Sequence, residues 1–248
     1  MFEGKIALIT GGSRGIGAAI AWELAQHGAT ALVNYKQGKD AAEEVCHRIV
    51  DANGKAFAIQ ADISQVGDID RMFDEIEKSY GNVDILINNA GLEIRMPSTD
   101  YSEEIFDQML DTNLKGAFFC SKKVLKTMKD KGWGRIVNIS SVHETRPTGN
   151  RSPYSISKAG MEMMTRELAF EFSRFGITVN TVIPGAIRTD MNRKVLEDPA
   201  YEQRVVDLIP ARWIGNPGDV APLVRFLVSE EAKYITGASI TVDGGLML

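Results

Sequence analysis

Residues 10–17 read Thr-Gly-Gly-Ser-Arg-Gly-Ile-Gly and join a short apolar run to an amphipathic stretch. Glycine adopts positive φ and carries no Cβ, so a glycine-rich turn between a strand and a helix can bring backbone N–H groups close to an anion. We interpret Gly11 as the tight turn, Gly15 as the point where the backbone approaches a phosphate, and Gly17 as the contact between helix and sheet. The spacing therefore predicts that a helix N-terminus, with its positive dipole, faces a phosphate group.

The rest of the chain alternates apolar runs with amphipathic stretches. The apolar runs are almost continuously hydrophobic, as is typical of strands covered on both faces of a parallel sheet; they are 5–10, 29–34, 55–60, 83–88, 134–140, 176–182 and 238–242. The amphipathic stretches predict helices at 15–27, 39–52, 65–80, 102–130, 153–174 and 218–228. This alternation predicts an α/β fold in a single domain over residues 1–248, a doubly wound (Rossmann) parallel sheet of seven strands with helices on both faces.

Segment 188–216 interrupts the alternation. It contains Pro199 and Pro210 among charged residues and follows the sixth predicted strand. Open α/β sheets bind their ligands at the carboxyl ends of the strands. We therefore interpret the segment as a short helical lid over a substrate, with a purely structural loop as the alternative.

The composition argues against several classes of protein. Lys and Arg number 28 and Asp and Glu number 33, and a net charge of −5 disfavours nucleic-acid binding. A membrane helix needs about 18 consecutive apolar residues, and no run in the sequence reaches that length. Two cysteines, Cys46 and Cys120, are too few for a disulfide scaffold and favour the cytoplasm. The 3 histidines are scattered, so we predict no metal site.

The residues after the second predicted strand bear on which nucleotide the turn binds. A carboxylate at that place usually holds the ribose of NAD. Here the chain has Asn34, Tyr35 and Lys36, and Arg14 lies in the glycine-rich turn. Two cations without a carboxylate favour the 2′-phosphate of NADP, with NAD also usable; ordinary surface charges are the alternative. Asp62, after the third strand, is expected to accept a hydrogen bond from the adenine amino group.

Tyr154 and Lys158 are four residues apart in a predicted helix and therefore share one face. An ammonium beside a phenol favours the phenolate, whereas an unperturbed tyrosine, with a pKa of about 10, is a poor base at neutral pH. The pair is typical of an acid–base device. Ser141 is placed to bind the reacting oxygen, with Ser140 as the alternative. Asn113, in the long predicted helix, is either a structural polar group or the holder of a water in a proton path.

Together these motifs resemble the short-chain dehydrogenases/reductases. The resemblance covers residues 4–245 and rests on motifs in the family's order, namely Thr10–Gly17, Asn88–Gly91, Asn113, Ser141, Tyr154–Lys158 and Pro184–Gly185. It implies that Tyr154 is the general acid/base and that Lys158 lowers the proton affinity of the phenol and binds the nicotinamide ribose. It also implies that Ser141 orients the substrate oxygen, and that Asn113 holds a water linking Lys158 to solvent.

The resemblance further implies a nucleotide site and an oligomer. Asn89–Gly91 would line a ribose, and Ile187 and Thr189 would contact the nicotinamide carboxamide. The full set of expected cofactor contacts is Gly11, Ser13, Arg14, Gly15, Ile16, Gly17, Asn34, Tyr35, Lys36, Asp62, Ile63, Asn89, Ala90, Gly91, Tyr154, Lys158, Pro184, Gly185, Ile187 and Thr189. Members of the family usually form homotetramers, so we expect one here.

Several local strings resemble the glucose 1-dehydrogenase subgroup, which oxidises the anomeric hydroxyl of an aldose to a lactone. They are Gly91–Glu93, Ser140–Glu144, Pro184–Ile187, Ile209–Pro210 and Ile214–Gly215. Glu93 and His143, with Ser141, would then bind sugar hydroxyls at the mouth of the site. The alternatives are that Glu93 caps a loop and that His143 packs near the cofactor.

Two further hypotheses stay open. The first is a 3-oxoacyl-[acyl-carrier-protein] reductase or a general carbonyl reductase. The basic residues of the lid region would contact an acidic carrier protein, or they are simply solvated; they are Arg188, Arg193, Lys194, Arg204 and Arg212. The second is a catalytically silent binding protein on the same fold, because fold does not determine function.

Overall fold

The computed structural model describes the backbone of residues 1–248 and every side chain except that of Lys194. The chain builds one seven-stranded sheet in the order β3-β2-β1-β4-β5-β6-β7, and every neighbouring pair of strands is parallel. The strands are β1 (Ile6–Ile9), β2 (Thr30–Tyr35), β3 (Lys55–Gln60), β4 (Ile85–Asn88), β5 (Gly134–Ile139), β6 (Ile177–Pro184) and β7 (Ser239–Val242). The predicted doubly wound sheet is confirmed.

Nine α-helices are found in the described chain. They are α1 (Gly15–Gln26), α2 (Lys39–Asp51), α3 (Val66–Ser79), α4 (Glu103–Leu110), α5 (Gly116–Lys131), α6 (Ser152–Phe172), α7 (Arg193–Leu196), α8 (Pro199–Leu208) and α9 (Pro217–Leu227). Successive strand residues point to opposite faces of the sheet. Ile9 therefore joins a core with α1, α2 and α9, while Leu8 joins a second core with α3, α5 and α6.

The order in which strands are added to the sheet changes direction at β1. β2 and β3 lie on one side of β1, and β4 to β7 lie on the other. Connections that leave toward opposite sides open a crevice at the carboxyl ends of β1 and β4, which is where open α/β sheets bind ligands. The glycine-rich turn after β1 lies at this crevice.

The predicted helix over 102–130 is wrong as a single element. α4 ends at Leu110, residues Asp111–Lys115 form a π-helical turn, and α5 begins at Gly116. A π turn inserts a residue into the helical repeat, and such turns are frequent at functional sites. Here the turn carries Asn113, whose side chain is fully buried.

Segment 188–216 contains two helices, α7 and α8, so its predicted helical character agrees with the structure. Asp198 caps α8 by accepting a hydrogen bond from the N–H of Ala200 at 3.0 Å. The two ends of the segment are joined, since Arg188 N donates to Gly215 O at 2.8 Å and Gly215 N donates to Ala186 O at 3.0 Å. The two ends of the segment are therefore held next to each other, and its two helices lie between them.

Among the described residues, none of the helices has both the length and the apolar character needed to cross a membrane.

We expect Gly17→Ala to destabilise the protein, because a Cβ at this position would overlap the carbonyl oxygen of Gly11 and lie 2.5 Å from Asn89 Nδ2. Overpacking of this kind costs about 1–3 kcal/mol. Gly67→Ala is the matched control. Gly67 lies in α3, and a Cβ added there would meet no atom within 4 Å outside its own helix, so the variant should be more stable by up to about 1 kcal/mol. Urea unfolding measures both. Equal stabilities of the two variants would refute the close approach at Gly17.

Candidate active site

A cavity of about 1100 Å³ lies at the carboxyl ends of the central strands. Of the site residues predicted from the sequence, all except Gly17 and Asn113 line this cavity, and those two lie behind its wall. The fold thus brings the predicted nucleotide residues, the Tyr154 pair and the predicted substrate residues to one cleft.

The glycine-rich turn has the geometry needed to hold a phosphate. Gly11 and Gly15 have φ of +61° and +54°, in the left-handed region that favours glycine. Arg14 occupies the N-cap of α1, and an arginine side chain has only donors, so it cannot cap the first turn. The N–H groups of that turn are left for an anion, and Gly15 and Ile16 line the cavity. These residues therefore fit a nucleotide pyrophosphate.

Two asparagine amides hold this turn in place. Asn34 Oδ1 accepts a hydrogen bond from Gly11 N at 3.2 Å, and Asn89 Nδ2 donates to Thr10 O at 2.9 Å and to Gly11 O at 3.0 Å. Asn34 also donates to the carbonyls of Ile59 and Ala61. Both asparagines line the cavity, so their contact with the nucleotide stays a prediction, and their side chains also position the turn.

Both cations expected at a 2′-phosphate are paired with carboxylates. Lys36 Nζ lies 2.7 Å from Asp62 Oδ2, and Arg14 Nε lies 4.0 Å from Asp190 Oδ2. Both basic side chains are more than half exposed, so solvent screens these pairs. A 2′-phosphate would share the two cations with these carboxylates. The expected contact of Asp62 with adenine would likewise compete with Lys36.

The Tyr154 pair and Ser141 meet at the floor of the cavity. Tyr154 and Lys158 are both buried on α6. Lys158 Nζ donates to Ile139 O at 2.8 Å and lies 5.8 Å from the centre of the Tyr154 ring. Ser140 Oγ donates to Glu144 at 2.5 Å, whereas Ser141 interacts with Tyr154. Of the two serines, Ser141 is therefore the one next to the phenol.

Burial controls the protonation of this pair. It raises the pKa of Tyr154 to about 12, although the hydrogen bond with Ser141 opposes the shift. It also lowers the pKa of Lys158 to about 8, against the opposing charge of Glu144. We expected the ammonium to favour the phenolate, but in this structure the cost of burying a charged phenolate dominates. At neutral pH Tyr154 is a neutral phenol beside a protonated Lys158.

Asn113 acts as a connector behind the cavity wall. Its Oδ1 accepts from Leu92 N at 2.7 Å, and its Nδ2 donates to Leu92 O at 2.9 Å and to Ser157 Oγ at 3.0 Å. Ser157 Oγ in turn donates to the carbonyl of Tyr154 at 2.7 Å. Both amide hydrogens are used in these bonds. The side chain therefore joins the loop after β4 to the turn of α6 that carries Tyr154, and the expected water link to Lys158 stays a prediction.

Glu93 and His143 line the cavity, and their polar atoms contact arginines. Arg95 contacts both carboxylate oxygens of Glu93, through Nε at 3.0 Å and Nη2 at 3.1 Å, and Arg151 Nη1 lies 3.4 Å from Oε1. His143 Nε2 contacts Arg151 Nη1, and Nδ1 lies 3.2 Å from Arg146 O. Burial and the neighbouring Arg151 lower the pKa of His143, so the ring is neutral at pH 7.

Sequence reasoning missed the arginines of this region and one aromatic residue. Arg95, Arg146 and Arg151 line the cavity, as does Tyr201 of α8, which bonds to Arg95. These residues come from separate loops and from the 188–216 segment, so no spacing in the sequence relates them. The only local signal is that Arg95 follows Glu93 by two positions.

Comparisons with known proteins bear on the family. Residues 11–247 match the family model described as enoyl-(acyl carrier protein) reductase. The chain is 39% identical over 247 residues to 3beta-hydroxysteroid dehydrogenase 1 of Eggerthella lenta, covering 99% of this chain and 95% of that protein. It is 38% identical over 244 residues to 3-oxoacyl-[acyl-carrier-protein] reductase FabG of Staphylococcus epidermidis, covering 98% and 99%.

Solved structures match over the same extent. A short-chain dehydrogenase/reductase from Serratia marcescens superimposes with a TM-score of 0.93 at 34% identity, covering 100% of this chain and 99% of that one. A gluconate 5-dehydrogenase from Burkholderia cenocepacia, in complex with NADP and tartrate, also gives 0.93, at 31% identity and with 99% and 96% covered.

Proposed function

The chain belongs to the short-chain dehydrogenases/reductases, oxidoreductases that act on CH–OH and keto groups, and we propose that Tyr154, Lys158 and Ser141 carry this reaction. The observation that supports the proposal most directly is the meeting of these three side chains with the glycine-rich turn in one cavity. A nucleotide held at the turn and a substrate held at Tyr154 would share that cavity.

Tyr154, Ser141 and Lys158 have different roles in proton transfer to the substrate oxygen. When bound, the nicotinamide nucleotide supplies or accepts the hydride. In reduction, Tyr154 Oη donates its proton to the substrate oxygen as negative charge develops there, and Ser141 Oγ holds the same oxygen. The ammonium of Lys158 stabilises the phenolate that remains. In oxidation, the phenolate removes the proton of the hydroxyl. Asn113 holds the Tyr154 turn in place from behind.

NADP is the cofactor we propose, with NAD also usable. Arg14 and Lys36 flank the place where a 2′-phosphate would lie, and a related structure holds NADP. Because each cation already has a carboxylate partner, we infer a moderate preference for NADP.

An aldose is the first substrate hypothesis, and a 3-oxoacyl thioester is the second. The polar mouth formed by Ser141, Glu93 and His143 favours a hydroxylated substrate. The 38% identity to a 3-oxoacyl-[acyl-carrier-protein] reductase favours the thioester. Most basic residues of the lid region are already engaged: Arg188 with Glu202, Arg193 with Asp190, Arg212 with Asp207 and Arg204 with the Tyr201 ring, while the side chain of Lys194 lies outside the described residues. This pairing weakens the case for a carrier-protein partner.

Further proposals concern the whole molecule. We propose a single domain in which segment 188–216 is a substrate lid, supported by its joined ends and by Met191 and Val195 in the cavity wall. A homotetramer is supported by exposed apolar side chains on α5 and α6, namely Phe118, Ile156, Met163 and Phe170. A cytoplasmic location is supported by Cys46 and Cys120, which are both buried and unpaired.

Tyr154→Phe tests the assignment of the acid–base group. The variant keeps the ring and its packing but has no hydroxyl, so turnover should fall by about 100-fold or more while cofactor binding is retained. Absorbance of the reduced nicotinamide, with panels of aldoses and ketones, measures turnover, and fluorescence titration measures cofactor binding. Retained activity would contradict the assignment. Absence of turnover by the unmodified enzyme on both panels would favour a silent binding protein.

The pH dependence follows from the two pKa values. With pKa values of about 12 for Tyr154 and about 8 for Lys158, both groups are protonated at neutral pH, which suits reduction. The rate of ketone reduction should stay level below pH 8 and fall above it, as Lys158 loses its charge. Lys158→Arg stays charged, so the activity that it retains should lack this fall. A wild-type rate that is constant from pH 7 to about 9.5 would contradict the explanation.

The cofactor proposal predicts that wild-type kcat/KM is higher with NADP than with NAD. Replacing both Arg14 and Lys36 by glutamine should lower this ratio about tenfold or more, because the two charges that face the 2′-phosphate are lost. Lys39→Gln, at an exposed residue paired with Glu43, is the control and should leave the ratio unchanged. Steady-state kinetics with both nucleotides measure it, and a wild-type preference for NAD would refute the proposal.

A further inference from the structure

Charged side chains crowd the end of the cavity next to Tyr154. We call Glu93, Arg95 and Arg151 the arginine cluster, because both arginines pair with the one carboxylate. The cluster contains two guanidinium groups and one carboxylate, and the neutral ring of His143 adds no charge. The protein therefore places more positive than negative charge at the position where a substrate would extend from Tyr154.

The charge of the cluster is only partly balanced. The side chains of Glu93 and Arg151 are 7% and 13% exposed, so this ion pair is largely removed from water. Glu93 also pairs with Arg95, and one carboxylate cannot neutralise two guanidinium groups. Arg151 Nε is buried without a hydrogen-bond partner among the described residues. Buried charges and donors without partners cost free energy, so an anion entering here would be bound favourably.

The cluster lies near the Tyr154 phenol, since His143, which contacts Arg151, has its ring centre 6.3 Å from that of Tyr154. Arg151 is the N-cap of α6, three residues before Tyr154, and the charges of Glu93, Arg95 and Arg151 all act on the Tyr154 phenol. A substrate that places its oxygen on Tyr154 would hold its neighbouring carbons beside Arg151. The planar guanidinium binds a carboxylate with two parallel hydrogen bonds, a geometry that an uncharged hydroxyl does not match.

We propose that the substrate is a hydroxy acid or oxo acid whose carboxylate binds Arg151 and Arg95. This rests on the oxidoreductase activity proposed above and replaces the aldose and the thioester by a third substrate class. Glu93 and His143 are positioning residues in this arrangement, because they hold the guanidinium groups toward the cavity. A neutral aldose or a thioester would leave the excess charge of the cluster unbalanced.

Matched substrate pairs test the proposal. Gluconate and glucitol differ in a carboxylate against a hydroxymethyl group, and acetoacetate and its ethyl ester differ in charge. In each pair we expect kcat/KM for the acid to be at least about tenfold higher in the wild type. Arg151→Met should lower the acid-to-neutral ratio about tenfold or more. Arg174→Met is the control, since Arg174 is exposed just before β6, at the opposite edge of the sheet, and should leave the ratio unchanged.

A second variant should not lower the ratio. Glu93→Gln removes the negative charge but keeps an oxygen that can accept a hydrogen bond from a guanidinium group, so the preference for the acid should be kept or increased. If Arg151 and Glu93 only altered the pKa of the Tyr154 phenol, both variants would shift the pH profile for acid and neutral substrates alike. An acid-to-neutral ratio that is unchanged in Arg151→Met would overturn the inference, even if the enzyme turns over both members of a pair.

A binding measurement distinguishes a failure of the anion site from a failure of the proposed reaction. Calorimetric titration of gluconate into Tyr154→Phe with NADP should show binding that weakens about tenfold or more when Arg151→Met is added. If no substrate is turned over but this difference is seen, the proposed reaction fails and the anion site stands. If neutral ketones are reduced well and gluconate binds equally to both proteins, the anion site fails and the reaction stands.

Discussion

The buried amide of Asn113 connects the parts of the molecule that must act together. It binds both polar backbone groups of Leu92 and the hydroxyl of Ser157, which in turn binds the carbonyl of Tyr154. The loop after β4 and the first turns of α6 are therefore held by one side chain with its amide hydrogens fully used. A buried amide without these partners would cost free energy, so the arrangement specifies a single relative position for both elements.

Burial sets the chemistry that this framework supports. Tyr154 and Lys158 are both removed from solvent, and burial shifts the pKa of each toward its neutral form, although Lys158 stays protonated at neutral pH. Their environment keeps the proton on the phenol and leaves the ammonium close to losing its own. The arginine cluster adds positive charge at the same end of the cavity, which lowers the cost of any negative charge formed there. The protonation states in the site thus depend on its burial from solvent.

The sheet and the cavity could be predicted from the sequence because their signals are local. Apolar runs define the strands, and the turn at residues 10–17 marks the end of β1. The π turn at Asp111–Lys115 could not be predicted, because the hydrophobic pattern of the helices continues through it and no residue type indicates the inserted residue. The pairing of Lys36 with Asp62 and that of Arg151 with Glu93 depend on packing between distant segments, and the spacing of residues in the sequence carries no information about such packing.

Segment 188–216 begins and ends at neighbouring points, where Arg188 and Ala186 bond to Gly215. A loop closed at its base can gain or lose residues at a small entropic cost, and such changes do not move the strands beneath it. Evolution can therefore replace this part of the cavity wall while Tyr154 and Lys158 keep their positions. Diversification of substrate range within one scaffold follows from that separation.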